Sequence, residues 1–362
     1  MIKSILITIT FAIFLSCSSN DDVIVVDPIV IATPTESIYF PALTGTNWET
    51  KSIIDLNWKQ SGLQPLLDYL QLKNTKSFIV LVNGRIVLES YFNGHSETSP
   101  WYWASAGKTL TASITGIAQQ DGLININNKV SDYIGNGWTN MPLAKENLIT
   151  CKNLLTMTSG IDDAFSPTQA TNPASLIYSV DSGSRWAYHN VYVKLQDVVA
   201  SASGQTWSNY FNTKLRDKIG MSGSWITSGT NEVYWSTSRS MARFGLLMLN
   251  KGKWENNQIL NENYINEATN TSQNINKSYG YLWWLNGKSS YHLPSSQLEF
   301  NGSLIPSAPN DMFMALGKND QKIYVIPSKK MVIIRMGDAA DTVNAALSDF
   351  DNTLWQKING LF

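Results

Sequence analysis

The chain has 362 residues, with 27 Lys and Arg against 28 Asp and Glu, for a formal charge of −1. Hydrophobic residues make up 43% and charged residues 15%, which excludes disorder over most of the length because so apolar a chain collapses. The balanced charge supplies no basic field of the kind that binds nucleic acid, and the length suffices for one large domain or two closely joined subdomains.

In chain order, Lys3 precedes an apolar run from Ile5 to Leu15, then small residues and Cys17. The run is short for a bilayer span and has the layout of a secretory signal. Phe14-Leu15-Ser16-Cys17 resembles a bacterial lipoprotein processing box, with Phe where Leu is preferred. The reading is a signal peptide over 1–16, a lipidated Cys17, and a tether over 17–50 with an acidic start and several prolines. A lipid-anchored protein of the bacterial cell envelope follows, on the periplasmic face or the cell surface. The only other cysteine is Cys151. With Cys17 acylated it has no partner, so no internal disulfide is expected, and its apolar neighbours mark it as buried filler. No later apolar run is long enough to cross a membrane.

The folded domain is expected over 51–362. Residues 78–82 and 85–92 are β-rich and flank Asn83-Gly84, the preferred pair for a two-residue hairpin turn. From Ser105 the pattern turns helical to about 120 and stops at Asp121-Gly122. Short helices are predicted over 151–157, 191–203, 207–219 and 238–250. Strands return over 279–285, 312–316, 322–326 and 331–336, and a last helix over 341–357. Strands at both ends with helices between predict an α+β fold: one sheet (about 51–104 and 275–362) with an inserted helical region (about 105–274).

The chain has no Gly-x-Ser-x-Gly elbow and no His-Glu-x-x-His. Its three histidines, His95, His189 and His292, show no metal-ligand spacing, so no metal and no cofactor is expected. Ala106-Gly107-Lys108-Thr109 looks like the tail of a phosphate-binding loop, but the loop's first glycine would fall at Tyr102.

Ser105-Ala106-Gly107-Lys108 is the only Ser-x-x-Lys in the chain. At the start of a helix, residues three apart share a face, so the amine can reach the hydroxyl. A serine hydroxyl needs a proton acceptor to attack, and a lysine accepts only when neutral. Bringing its pKa from about 10.4 to about 7 costs roughly 4–5 kcal/mol of charged-state stability, a shift that burial or a nearby cation can supply. Alone, the tetrapeptide reads equally as a helix cap beside a solvated lysine. Its context changes this. Tyr188 and Asn190 lie two apart just before a helix, and a phenol of lowered pKa there could move protons. Ala315-Leu316-Gly317 ends a strand before the turn Lys318-Asn319-Asp320-Gln321. A glycine there lets substrate approach the backbone, and the N–H beyond it could face an oxyanion.

Together Ser105-x-x-Lys108, Tyr188-x-Asn190 and the Gly317 strand resemble the serine β-lactamase and penicillin-binding protein superfamily, in its class C-like branch of esterases, D-amino-acid peptidases and 6-aminohexanoate-dimer hydrolases. The likeness runs from about residue 75 to 337, with support from 154–160, 241–247 and 309–311. It implies a β-lactamase/transpeptidase-like fold, an antiparallel sheet flanked by helices with the site in the cleft beside a helical subdomain. It also implies Ser105 as acylated nucleophile, Lys108 as base, Tyr188 in proton transfer, Asn190 on substrate, and an oxyanion hole from the N–H groups of Ser105 and Lys318. Relatives carry Lys-Thr-Gly or His-Thr-Gly where this chain has Ala315-Leu316-Gly317. The missing cation argues against a strong β-lactamase or D-Ala-D-Ala carboxypeptidase and favours an uncharged small-molecule ester or amide, unless Lys318 supplies the charge.

The predicted function is therefore a serine hydrolase working through an acyl-enzyme. The alternatives are a non-hydrolytic penicillin- or glycan-binding envelope protein and a D-peptidase acting on peptidoglycan. Other residues have plainer readings: His189 as a cleft-wall or surface histidine, Asp162-Asp163 as a cleft rim or a turn, Trp283-Trp284 as sugar-binding rings or strand alternation, and Arg243 as a buried ion-pair partner or a solvated side chain.

Overall fold

The Asn83-Gly84 pair does what its chemistry predicts. Both residues take positive φ (50° and 79°) and join Thr75–Val82 to Arg85–Tyr91 as an antiparallel hairpin. The structure, a computed structural model, describes residues 36–163, 170–228, 231–341, 347 and 349–362. The expected signal peptide, Cys17 and most of the tether lie outside the described residues.

The hairpin forms one side of a six-stranded sheet. Thr75–Val82 pairs with Met331–Gly337, which pairs with Gln321–Ile326, then Phe313–Gly317, then Trp284–Leu285, every pairing antiparallel. The three central C-terminal strands are buried along their whole length, the polar side chains of Gln321, Lys322 and Arg335 included. Alternation sends Ile323 and Val332 to one face, where the helix Ser238–Leu249 packs. Gly245 of that helix has no room for a side chain, since a Cβ would lie 2.5 Å from Val332 Cγ1. The opposite face meets the last helix, Asp349–Asn359, through Tyr324 against Trp355 and Arg335 over Phe350.

The expected sheet at both chain ends and helices in the middle are present, with corrections. The middle also holds a three-stranded sheet in which Asn231–Ser236 lies between Trp101–Tyr102 and Ser224–Ser228. The stretch 279–285, predicted as one strand, pairs with the sheet only at Trp284–Leu285, because Leu282 turns at φ 61°. The predicted helix 207–219 breaks into Trp207–Phe211, a wide turn Asn212–Arg216 and a tight turn Asp217–Ile219. The last helix starts at Asp349 rather than 341; residues 342–346 and 348 lie outside the described ones.

The domain begins earlier than residue 51. Ser37–Phe362 forms one unit, and residues 39–50, expected as tether, are bonded to it. Tyr39 N–H donates to the Asn83 carbonyl (2.8 Å), the Trp48 indole to the Gly84 carbonyl (2.7 Å), and Thr50 bridges Ile86. Arg243 donates to the carbonyls of Ala42 (2.7 Å) and Ile219 (2.9 Å), so this buried arginine holds backbone oxygens rather than a carboxylate. The segment's composition reads as linker, but its backbone polar groups find partners, which is what docks it.

Candidate active site

Ser105 lies in a 3₁₀ turn, Ala104–Gly107, that leads into the helix Lys108–Gln120. The α-helix thus starts three residues later than the pattern predicts. The tighter turn favours the pairing, because residues three apart eclipse in 3₁₀ geometry. Lys108 Nζ and Ser105 Oγ lie 2.9 Å apart. Ala104, just before the serine, is held at φ 47°, a left-handed conformation that costs a non-glycine residue about 1 kcal/mol or more and recurs beside functional groups.

Lys108 is 3% exposed. Its Nζ sits 4.9 Å from the ring centre of Tyr188 and 4.6 Å from that of Tyr192, with the Asn190 Oδ1 at 3.5 Å. No carboxylate of the described residues pairs with it. Burial without a counter-charge lowers its pKa to about 7, since a desolvated ammonium is unfavourable. The aromatic faces offset only part of that cost.

Tyr188 is buried and hydrogen-bonded to Ser105, and the Trp284 indole N–H donates to its phenol oxygen. Its pKa is not lowered, as the sequence reading supposed. Burial pushes it up to about 12, so the phenol stays protonated near neutrality. Asn190 opens the turn Asn190–Val193, which carries Tyr192 over the amine. His189, fully buried, caps that turn: its Nδ1 accepts the Val191 N–H at 3.0 Å, and burial lowers its pKa to about 4. It is neither a surface group nor a proton donor at neutral pH. Asp163 forms a 2.6 Å ion pair with Arg185, three residues ahead of Tyr188. Cys151 is buried and its thiol pushed up to about 12, consistent with filler.

Gly317 ends its strand beside the nucleophile turn. A Cβ there would lie 2.4 Å from the Trp103 carbonyl and 3.0 Å from the Ala106 nitrogen. The space the glycine keeps free is thus filled by the backbone on either side of the serine, at Trp103 and Ala106, and not by substrate as the sequence suggests. This approach sets the amide of Lys318, the next residue, beside the Ser105 turn. The Lys318 side chain is exposed. Asn319, at φ 60°, donates from Nδ2 to the Tyr102 hydroxyl (2.6 Å) and ties the two turns together.

The structure therefore brings Ser105, Lys108, Tyr188 and Asn190 into one constellation and sets Gly317 against its backbone. Sequence reasoning missed two of its members. Tyr192 was detectable, as an aromatic residue two positions after Asn190 in the same short turn. Trp284 was not, since nothing near it in sequence names Tyr188 as its partner. Both Trp283 and Trp284 are under 2% exposed, so neither is a sugar-binding surface. Among the described residues no group of three or more His, Cys, Asp or Glu could hold a metal.

The family model described as Beta-lactamase matches residues 74–352, and the chain belongs to that family. No curated protein sequence matches it. Among solved structures it is similar to a Bacillus anthracis protein whose name proposes a 6-aminohexanoate-dimer hydrolase. That match has a TM-score of 0.66 and 22% identity, over 86% of this chain and 87% of that one. It is similar too to a penicillin-binding protein homologue from Caulobacter crescentus, with TM-score 0.64, 10% identity, and 83% and 96% covered. A third is a class C β-lactamase in complex with cefoxitin, with TM-score 0.60, 18% identity, and 83% and 98% covered. At these identities the neighbours establish the fold alone. Family membership supports a serine hydrolase in general terms.

Proposed function

We propose that this Beta-lactamase family member hydrolyses an uncharged ester or amide through an acyl-enzyme on Ser105. The observation that carries the reading is a buried lysine amine, without a counter-charge, 2.9 Å from a serine hydroxyl. With Lys108 neutral, every hydrogen bond in the constellation has a donor and an acceptor. The Trp284 N–H donates to the Tyr188 oxygen, Ser105 and Tyr188 are hydrogen-bonded, and Lys108 Nζ donates to Ser105 Oγ at 2.9 Å and to Asn190 Oδ1 at 3.5 Å. At that range the lone pair of the neutral amine can take the serine proton as Oγ attacks.

Attack of Oγ on the substrate carbonyl passes this proton to Lys108 and leaves a tetrahedral oxyanion for the N–H groups of Ser105 and Lys318. Collapse expels the alcohol or amine, which takes its proton from Lys108 through or beside the Tyr188 phenol. Water, deprotonated by the same amine, then releases the acid. Ala315, where relatives carry a cation, is buried and apolar, as is Leu316 beside it. That supports an uncharged substrate over a β-lactam or a peptide carboxylate.

Intact mass spectrometry after a fluorophosphonate probe tests the reading: one adduct in the wild type, none in Ser105→Ala. Turnover of p-nitrophenyl esters should fall by about 10³-fold or more in that variant with circular dichroism unchanged. A wild type that neither labels nor releases nitrophenol sinks the enzyme reading in favour of a binding protein. We also propose, on the sequence alone, export and lipid attachment at Cys17. Cys17→Ser should leave the membrane fraction and lose palmitate labelling.

A further inference from the structure

Two groups of aromatic residues flank Ser105, at opposite ends of the strand Phe313–Gly317. Trp284, which pairs with Met314 at the start of that strand, leads one group. Its ring packs on Trp186, Tyr188 and Tyr279 (5.8, 5.7 and 4.9 Å between centres). All four are buried, and they support the phenol and the amine. The other group adjoins the turn at the strand's far end. Trp101, Tyr102 and Trp235 lie 5.4, 5.5 and 6.4 Å apart between ring centres, and all three are only half-buried.

This second group is anchored, so its exposed ring surface is preformed. Tyr102 and Trp235 are cross-strand partners. The Tyr102 hydroxyl is fixed by Asn319 and the Trp101 indole by the Gly337 carbonyl (3.1 Å). Lys76 lies over the Trp101 ring (5.4 Å) and His95 meets it edge-on (5.8 Å). The constellation does not use these rings, and the core does not cover them. They begin four residues before the nucleophile and touch, through Asn319, the turn that presents the Lys318 amide.

We propose that Trp101, Tyr102 and Trp235 form an acyl-side subsite for a flat, uncharged ring. The inference rests on the hydrolase reading and extends it to a substrate class. The side is set by the chemistry. A departing alcohol or amine must face its proton donors, Lys108 and Tyr188, at the Trp284 end. The acyl portion then points the other way, past the oxyanion turn toward the half-buried rings. Aromatic faces recognise a ring by offset stacking and by area removed from water, with no need for charge. That matches a site whose strand Phe313–Gly317 carries Ala315 in place of a cation.

The test holds the leaving group constant and varies the acyl group. Wild-type kcat/KM for p-nitrophenyl phenylacetate should exceed that for p-nitrophenyl acetate by about tenfold, the scale of one stacked ring with its buried area. In Trp235→Ala that preference should fall to near unity while acetate turnover stays within about twofold, and Trp235→Phe should keep most of it. Equal loss on both esters, or no preference in the wild type, overturns the subsite. A ring preference seen only in benzyl acetate against ethyl acetate overturns its assignment to the acyl side. Fluorophosphonate labelling separates the two levels of argument: no adduct at Ser105 defeats the hydrolase reading, whereas labelling without ring preference defeats only the subsite.

Discussion

The domain contains two buried lysines in opposite surroundings. Lys108 Nζ faces a serine, an amide oxygen and two aromatic rings. Lys322, on the face of the sheet under the last helix, has Asp351 at 2.8 Å and Asp320 at 3.2 Å, and the Tyr324 hydroxyl bonds Asp351 as well. Both side chains are essentially inaccessible to water. What differs is counter-charge. Desolvation makes an ammonium costly in either place. At Lys322 two carboxylates offset the cost and the result is a structural clamp between sheet and helix. At Lys108 nothing of that kind offsets it, and the proton leaves near neutrality. Burial alone therefore does not make a lysine a base; burial without a carboxylate does.

The strongest way to break this comparison is Lys108→Met, which keeps the stem and removes the amine. Ester turnover should drop by about 10³-fold or more. Stability should move the other way. The amine's pKa is about 7 in the fold against about 10.4 unfolded, so between those values the unfolded chain binds the extra proton. Lys108 then contributes a penalty that is full below about pH 7 and fades as pH rises toward 10.4, amounting to about 4–5 kcal/mol across the window. The methionine variant should gain most over wild type at pH 6 and least at pH 10, read from urea unfolding at each pH. A pH-independent difference would place a charged or solvated amine at 108.

The structural lysine should respond in the opposite sense. Asp351→Ala removes one of two counter-charges from a fully buried ammonium and should destabilise the fold by about 3 kcal/mol. Turnover per folded molecule should stay within about twofold of wild type. Replacing both partners, Lys322→Met with Asp351→Leu, should recover most of that stability, because apolar residues of similar volume often match a buried ion pair. Urea midpoints and active-site titration with the fluorophosphonate measure both. If Asp351→Ala abolishes labelling of Ser105 in folded protein, the two lysines are not independent and the contrast fails.

This difference shows how far sequence could go. Short-range chemistry was legible. Asn83-Gly84 gave the hairpin, β-rich stretches separated by turns gave the central strands, and the Ser105–Lys108 spacing gave the pair. Tyr188 and Asn190 were found by their position before a turn. The direction of the Tyr188 shift was not legible, since it depends on Trp186, Trp284 and Tyr279 arriving from distant strands and loops to bury the phenol. Gly317 was marked as special, but the Trp103 carbonyl that requires it belongs to another element. For the same reason the segment 39–50 read as tether, since its partners at Asn83, Gly84 and Arg243 are invisible in its own composition. Local pattern identifies which groups can react; tertiary neighbours set their protonation state.

The finest probe converts one lysine's surroundings toward the other's. Asn190→Asp is close to isosteric and would place a carboxylate where Oδ1 now lies, 3.5 Å from the Lys108 amine. An opposite charge at that range favours the ammonium and should raise its pKa by about 1–3 units. In the wild type the rate should rise with pH through about 7 as Lys108 loses its proton. In the variant that limb should move up by the same interval, so activity at pH 7 falls by about five- to five-hundredfold and returns as pH approaches 10. A loss that is uniform across pH would show that Asn190 acts on the bound substrate and leaves the amine's titration untouched. A shifted limb would show that the missing carboxylate is what separates the reactive lysine from the structural one.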